Sequence, residues 1–416
     1  MKKVFTLRHL AVFVFLFNCM VFYAADLITQ QVVVELDEPG ALSKKIGVSK
    51  KYKVTNLKLV GDFNGTDLKL LRDMAGRDIN GKSTSGQLSV LDLSETNIVR
   101  GGDAYYSDNS RSYTTKNDAI YDFSFKGCDV LTSINLPASI KTIGNFAFRD
   151  CSNLVKVTMP SKVGGIGESA FENCTSLISI NLPDGITSIK ESTFHGCSSL
   201  TSIALPRSLK LIESGAFAGC SKLENMDIPS TVSFIGSGAF SYCISLSKII
   251  LPLKLTKIDV STFYGCSGLK NIDIPKGIIT IDCSAFQDCC GLTSLVIPAT
   301  VQTIEMAAFY GCSKLSSIKV GWDVPIEIGS DVFSGVPKQC TLYIPKGTYE
   351  NYWLTEWGMF ENIIECETTG IDKVTTSSKA KGFSRYSLNG QRLSAPAKGL
   401  NIVKYSDGSV KKVAVQ

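Results

Sequence analysis

One pairing constrains this chain more than any other: a phenylalanine followed three positions later by a cysteine, returning every 23 residues from Phe125 to Cys312. The phenylalanines are Phe125, Phe148, Phe171, Phe194, Phe217, Phe240, Phe263, Phe286 and Phe309. The cysteines are Cys128, Cys151, Cys174, Cys197, Cys220, Cys243, Cys266, Cys289 and Cys312. A unit this short cannot bury an apolar side alone, so it must stack on its neighbours and share a core with them.

Each copy carries the same apolar columns between one cysteine and the next phenylalanine. Leu131, Ile134 and Leu136 follow Cys128; Leu154, Val157 and Met159 follow Cys151; Leu177, Ile180 and Leu182 follow Cys174. In a strand of period 2, Ile134 and Leu136 face inward while Ser133 and Asn135 face out. Proline then closes the strand, as at Pro137, Pro160 and Pro206, because it has no N–H to give the ladder. A second apolar pair, Ile140 with Ile143 or Leu209 with Ile212, anchors the return path, and an Ala–Phe pair such as Ala216–Phe217 fills the far side. Leucine-type positions at i, i+3 and i+5 within 20 to 29 residues mark a leucine-rich repeat. The pattern L-x-x-I-x-L-P-x-x-I-x-x-I-x-x-x-A-F-x-x-C closely resembles the BspA-like leucine-rich-repeat family of exported bacterial proteins. The fold expected is a repeat solenoid, a right-handed coil with a parallel β-sheet, capped ends and a small C-terminal β module. Residues 120–345 should supply about ten of its turns.

Six segments are expected. Lys2, Lys3 and Arg8 precede an apolar run from Leu10 to Tyr23 that ends at Ala24–Ala25, the layout of a signal peptide over 1–25; the residues before Cys19 do not make a lipobox. Residues 26–119 read as an N-terminal cap. In it Gln30–Leu36 and Leu57–Val60 are β-type runs, and Asp67–Ala75 is a helix with Thr66 and Asp67 as capping candidates. Leu88–Ile98 is a first irregular repeat, with Asn97 placed to bond the turn, and residues 101–118 form an inserted loop. The 23-residue repeats occupy 120–320. After Cys312 the period loosens, with Val320 in a proline position and Phe333 one residue late. Residues 321–367 are then a last turn, with Cys340–Pro345 as the final strand, and a C-terminal cap holding Tyr349, Tyr352, Trp353, Trp357 and Phe360. A Ser/Thr/Lys-rich linker spans 368–381. The tail 382–416, with Asn389–Gly390 and Asp407–Gly408 as hairpin turns, resembles the C-terminal tails of exported Bacteroides-type proteins; a sorting signal and a purely structural module are the two readings.

Composition removes several functions. The net charge of +5 falls to about +2 without the leader, and no basic face is clustered, so nucleic acid is not an expected partner. Of two histidines, His9 lies in the leader and His195 in a variable slot, which excludes histidine-dependent triads and His-rich metal sites. Nine of the fourteen cysteines stand in one column, where stacked side chains point in parallel and do not converge; buried reduced thiols are expected, with no zinc. Only Cys283, Cys290, Cys340 and Cys366 leave room for a bridge or two. Glycines such as Gly144, Gly167 and Gly236 fall at the turn, where positive φ would explain them.

No enzyme and no cofactor are expected. What remains is a rigid exported surface whose outward strand positions are mostly small and polar. The varied part, Asn225, Asp227, Lys248, Ile250, Asp273 and Val296, is the candidate partner-binding face. The family resemblance implies protein–protein interaction or adhesion at the bacterial surface, with a host matrix or bacterial surface protein as ligand and no membrane span in the mature chain. The alternative is a glycan-binding accessory protein using Tyr105, Tyr106, Tyr113, Trp353 and Trp357 as stacking platforms.

Overall fold

The computed structural model describes residues 27–108 and 110–367, together with the backbone of Ser384–Ser387, Arg392–Leu393, Gly399–Lys404 and Val410–Val415. The leader 1–25 and the linker 368–381 lie outside the described residues. The chain divides into two units, 1–368 and 369–416.

The first unit is a parallel coil in which each repeat makes one turn. Its main ladder runs in sequence order. Val32–Glu35, Asn56–Phe63, Val90–Ile98, Ser133–Asn135 and Lys156–Thr158 form one sheet. Single bridges at Asn181–Ala204 and Asp273–Val296, and the pair Asn225–Asp227 with Lys248–Ile250, carry the ladder onward. Ser294–Ile297, Ser317–Val320, Thr341–Pro345 and Asn362–Cys366 complete it. A second, two-residue ladder on the return path pairs Thr142–Ile143 with Gly165–Ile166, and Leu211–Ile212 with both Ser188–Ile189 and Phe234–Ile235. Residues 120–345 thus coil as the repeat period predicts.

The third side of each turn carries the phenylalanine. Its amide donates across to the next turn, Phe125 N–H to Ala147 O at 2.7 Å and Phe217 N–H to Ala239 O at 2.8 Å. To make that bend, the chain enters the left-handed region two residues before and two residues after each phenylalanine. The trailing position is Gly127, Asp150, Asn173, Gly196, Gly219, Tyr242, Gly265, Asp288 and Gly311 in turn. Glycine, asparagine and aspartate dominate there because they enter that region at least cost.

Inside the coil the phenylalanine rings stack from Phe125 to Phe333 with centroids 5.2 to 5.7 Å apart and planes within 12° of parallel. The column therefore runs through the late Phe333 and ends against Trp357 and Phe360. Beside it every column thiol is fully buried and free. From the second copy onward each donates to the phenylalanine carbonyl of the preceding turn: Cys151 Sγ to Phe125 O at 3.0 Å, Cys220 Sγ to Phe194 O at 3.2 Å, Cys312 Sγ to Phe286 O at 3.3 Å. Burial pushes the thiols up, Cys128 to about 11 and Cys197, Cys266 and Cys312 to about 12, which keeps the proton that the bond requires.

The N-terminal segment differs from its expected form. Its two β-type runs join the irregular repeat as turns of the same sheet, with an unforeseen short helix at Leu42–Ile46 between them. The helix after the second strand is Gly65–Met74, and its cap is Asn64, whose side chain takes the Thr66 N–H while Asp67 returns to the Asn64 N–H. Asp67 itself is buried and also accepts from Gly40 and Leu42 N–H, so one carboxylate ties helix to loop. Asn97 does not bond the turn; it is exposed and donates to Asp62 on the neighbouring strand. The inserted loop is an antiparallel hairpin, Gly101–Ser107 with Ser112–Thr115. It packs Tyr106 and Tyr113 on Phe123, whose ring stacks on Phe146.

Side chains also serve the first turn of the phenylalanine side, which has no preceding turn to feed its carbonyls. Tyr105 Oη donates to Asp122 O at 2.7 Å, the fully buried Arg72 to Phe123 O and Ser124 O at 2.9 and 3.2 Å, and Arg77 Nε to Gly127 O at 2.7 Å. Satisfying buried carbonyls in this way spares about 1–3 kcal/mol each. At the other end Thr341–Pro345 is not the last strand, since Asn362–Cys366 adds another after the helix Tyr349–Trp353. Gly144, Gly167 and Gly236 do not have positive φ. A Cβ on any of them would come within 2.4 to 2.7 Å of the preceding turn, so close approach between turns, not backbone handedness, requires glycine there. Cys283, Cys290, Cys340 and Cys366 form no bridge. In the second unit the four strands make one antiparallel sheet, Arg392–Leu393 at one edge and Val410–Val415 at the other.

Two outcomes are expected. Phe217 is buried between Phe194 and Phe240, so Phe217→Ala should cost ~3–5 kcal/mol and loosen the adjacent turns, splitting unfolding into two steps in a thermal melt; a melt identical to the parent's would contradict this packing. The thiol column should make stability fall on the alkaline side. Unfolded cysteines ionise near about 8.5, whereas folded Cys197, Cys266 and Cys312 hold their protons to about 12. Above the unfolded value the unfolded state binds fewer protons, so their contribution is complete below it and lost as pH rises toward the folded value. Melting temperatures should fall progressively above pH 9, and Cys151 through Cys289 of the column should resist alkylation until the chain unfolds. A melting temperature that is flat to pH 11, or labelling of the native column, would overturn the assignment.

Candidate functional site

The outward strand positions form a continuous strip because each strand pairs with the equivalent residue one turn on. Asn225 faces Lys248 and Asp227 faces Ile250, and Asp273 bridges Val296. Inward Met226, Ile249, Ile272 and Leu295 are buried and hold the strands at fixed spacing. Asp227, Ile250, Asp273 and Val296 therefore line up along the coil axis, acid alternating with hydrocarbon, and Asn225 and Lys248 run beside them. Ile250 is 55% exposed, a large value for a branched aliphatic; Asn225, Asp227, Lys248 and Asp273 are exposed and Val296 is half-buried. Among the described residues Asp227, Lys248 and Asp273 enter no ion pair. Their charge is thus available to a partner. All six predicted face residues are brought together.

The return path is chemically quieter. Its open groove is lined by Thr142, Gly165, Glu168, Lys190 and Glu213, of which Lys190 and Glu213 pair with each other. Lys190 meets Glu213 at 2.8 Å and Ser188 Oγ donates to the same oxygen at 2.9 Å. Partial burial pushes the Glu213 carboxyl up, but these two bonds more than reverse it and leave it below the usual carboxylate range. Lys257 is raised by its bond to Asp282 at 2.5 Å, with Asp259 at 3.4 Å. Among the described residues no group of His, Cys, Asp and Glu could hold a metal ion, and no helix is long and apolar enough to cross a membrane. His195 is half-buried at 3.9 Å from Glu172.

The expected sugar-stacking rings are not at the surface. Tyr105 and Trp357 are fully buried, Tyr106 and Tyr113 nearly so, and Trp353 is half-buried against Tyr349. They seal the coil ends instead, Trp357 donating to Ile326 O and Tyr352 to Trp322 O. Among the described residues the exposed tyrosines stand elsewhere, at Tyr52, Tyr242 and Tyr310, with Tyr264 half-exposed between the last two. The signal for them was present in the sequence: tyrosine at 242 breaks a column otherwise made of Gly, Asp and Asn.

Among solved structures, a leucine-rich repeat protein from Bacteroides ovatus is 26% identical, over 65% of this chain and 75% of its own, with a TM-score of 0.47. The leucine-rich repeat protein of T. pallidum is 26% identical, covering 45% of this chain and 74% of its own, with a TM-score of 0.31. A leucine rich cell surface protein from Faecalibacterium prausnitzii is 23% identical, covering 62% and 85%, with a TM-score of 0.31. No curated protein matches the sequence. The model of the BspA type leucine-rich repeat region matches residues 118–247 and 233–352 in six copies, more than half of the chain and the same stretch that builds the phenylalanine and thiol columns, and the chain belongs to that family.

Proposed function

We propose that this chain is a non-enzymatic, exported protein that binds a protein ligand on the strand strip of Asn225, Asp227, Lys248, Ile250, Asp273 and Val296 at the bacterial surface. The observation that carries the reading is the 55% exposed Ile250 set between two carboxylates that have no ion-pair partner among the described residues. A protruding aliphatic gains contact area when covered, and flanking acids give a partner its orientation and its rate of approach. The ligand that fits presents an apolar side chain bordered by basic ones, as a host matrix protein or a protein of a neighbouring bacterial surface would. The leader-like segment 1–25 supports export, and the hairpin-rich tail supports retention at the cell exterior.

The test is a surface-plasmon-resonance screen of the mature chain against host matrix proteins and bacterial surface proteins. For the ligand found, Ile250→Ala and Asp273→Lys should each weaken binding about tenfold or more, with stability unchanged to within about 0.5 kcal/mol. Raising the salt concentration should slow association of the parent but hardly that of a double Asp227→Ala, Asp273→Ala variant. Binding that is untouched by all of these changes would remove the strip from consideration.

A further inference from the structure

The turn edge between Tyr242 and Tyr310 has a property that folding alone does not account for. Tyr242 takes φ 58°, in the column where other turns place Gly, Asp or Asn. A bulky residue in the left-handed region is strained, and such strain persists where surrounding structure or function repays it. The chain shows how folding repays it: Phe123 and Phe146, also left-handed, stack on each other, and the hairpin tyrosines 106 and 113 cover Phe123. Tyr242 has no such cover. Its ring rests its Cδ1–Cε1 edge over Gly265, which has no Cβ to displace it, and meets only Tyr264, edge to face at 5.1 Å, leaving 55% of the residue in solvent.

The adjoining turns continue the edge in register. Tyr242 N–H donates to Tyr264 O at 2.7 Å, Gly265 N–H to Gln287 O at 2.8 Å and Asp288 N–H to Tyr310 O at 2.7 Å. Tyr264, Gln287 and Tyr310 thereby follow one another, one turn apart, with Asp288 beside them. In the six preceding turns the position of Tyr264 holds Lys126, Arg149, Glu172, His195, Ala218 and Ser241, so the aromatic groups gather at this end. Aromatic faces are negative and attract polarised C–H groups, while hydroxyl, amide and carboxylate groups at the same edge bind hydroxyls. A pyranose offers both, C–H on its face and O–H around its rim. The rise per turn, ~4.8 Å, is close to the length of one sugar unit in an extended chain.

We propose that Tyr242, Tyr264, Gln287, Asp288 and Tyr310 form an oligosaccharide-binding site, in which an extended glycan lies along the coil axis, stacks on the tyrosines and hydrogen-bonds to Gln287 and Asp288. The site is separate from the strand strip and does not depend on it.

The experiment screens the full chain on an array of host, plant and bacterial oligosaccharides, followed by titration calorimetry and saturation-transfer NMR with the best soluble hit. Glycan binding is expected, with tyrosine ring protons as the contact. Tyr264→Ala and Asp288→Ala should each weaken it tenfold or more. Tyr242→Asn, which installs the residue type found at Asn173, should abolish binding while keeping or raising the melting temperature, because the strain is relieved. Ile250→Ala should leave glycan binding unchanged, which separates this site from the strip. The proposal is overturned if no array glycan binds, if binding survives Tyr242→Asn, or if Tyr242→Asn melts several degrees lower, which would make Tyr242 a packing residue. Loss of a protein ligand but not of a glycan in Tyr242→Asn would make the edge a protein interface and overturn the assignment equally.

Discussion

The carbonyl oxygen of each phenylalanine from Phe125 to Phe286 is shared between two turns, and the coil depends on that sharing. Phe125 O accepts the Cys128 amide of its own turn at 3.0 Å and the Cys151 thiol of the next at 3.0 Å. The first bond closes the local bend; the second fixes the next turn at one distance and one rotation. Cysteine suits the position because the thiol is small and apolar enough to be fully buried yet still has a proton to give. Alanine would leave the second lone pair unanswered, and serine would pay more to leave water. The ring stack adjoining the thiols then supplies the apolar mass that holds the turns together.

This arrangement accounts for what the surface can and cannot do. With the core columns fixed by the repeat, the outward strand positions and the turn edge are the sites free to vary. Substitutions there leave the ladder undisturbed, because the backbone bonds that align the strip are made by every turn regardless of side chain. Ile250 is held out by buried Ile249 and Leu251 on either side of it, and Tyr242 by the bend that Phe240 anchors. A repeat scaffold thus separates support from contact more cleanly than a globular domain, where the same residue often serves both.

The fold was legible in the sequence because its period is visible without any propensity argument, and the six strip residues followed from alternation along the strand. What escaped has a physical reason in each case. The first three turns share the sheet but not the spacing, so Val32–Glu35 and Asn56–Phe63 were legible as β-type runs but not as turns of the coil. Gly144, Gly167 and Gly236 looked like turn glycines, whereas the constraint on them is a neighbour 22 residues back that no local pattern displays. Tyr105 and Trp357 were indistinguishable from surface rings by composition, since burial outside a periodic array depends on which element folds over them. The tail was read correctly as β-rich, yet nothing in its alternation set the strand order.

The capped ends and the periodic middle have different genetic prospects. Each thiol reaches a carbonyl 26 residues back, and each amide of the bend reaches into the next copy, so every bond is defined relative to a neighbouring unit and none to an absolute position. Recombination between copies that removes or adds one whole unit restores all of these bonds at the new junction, whereas a change of any other length breaks them. The array can therefore lengthen or shorten within a lineage in single-unit steps, moving the strip and the tyrosine edge nearer to or farther from the N-terminal turns. The segment holding Arg72, Arg77 and Tyr105 has no second copy with which to recombine, and must be inherited intact.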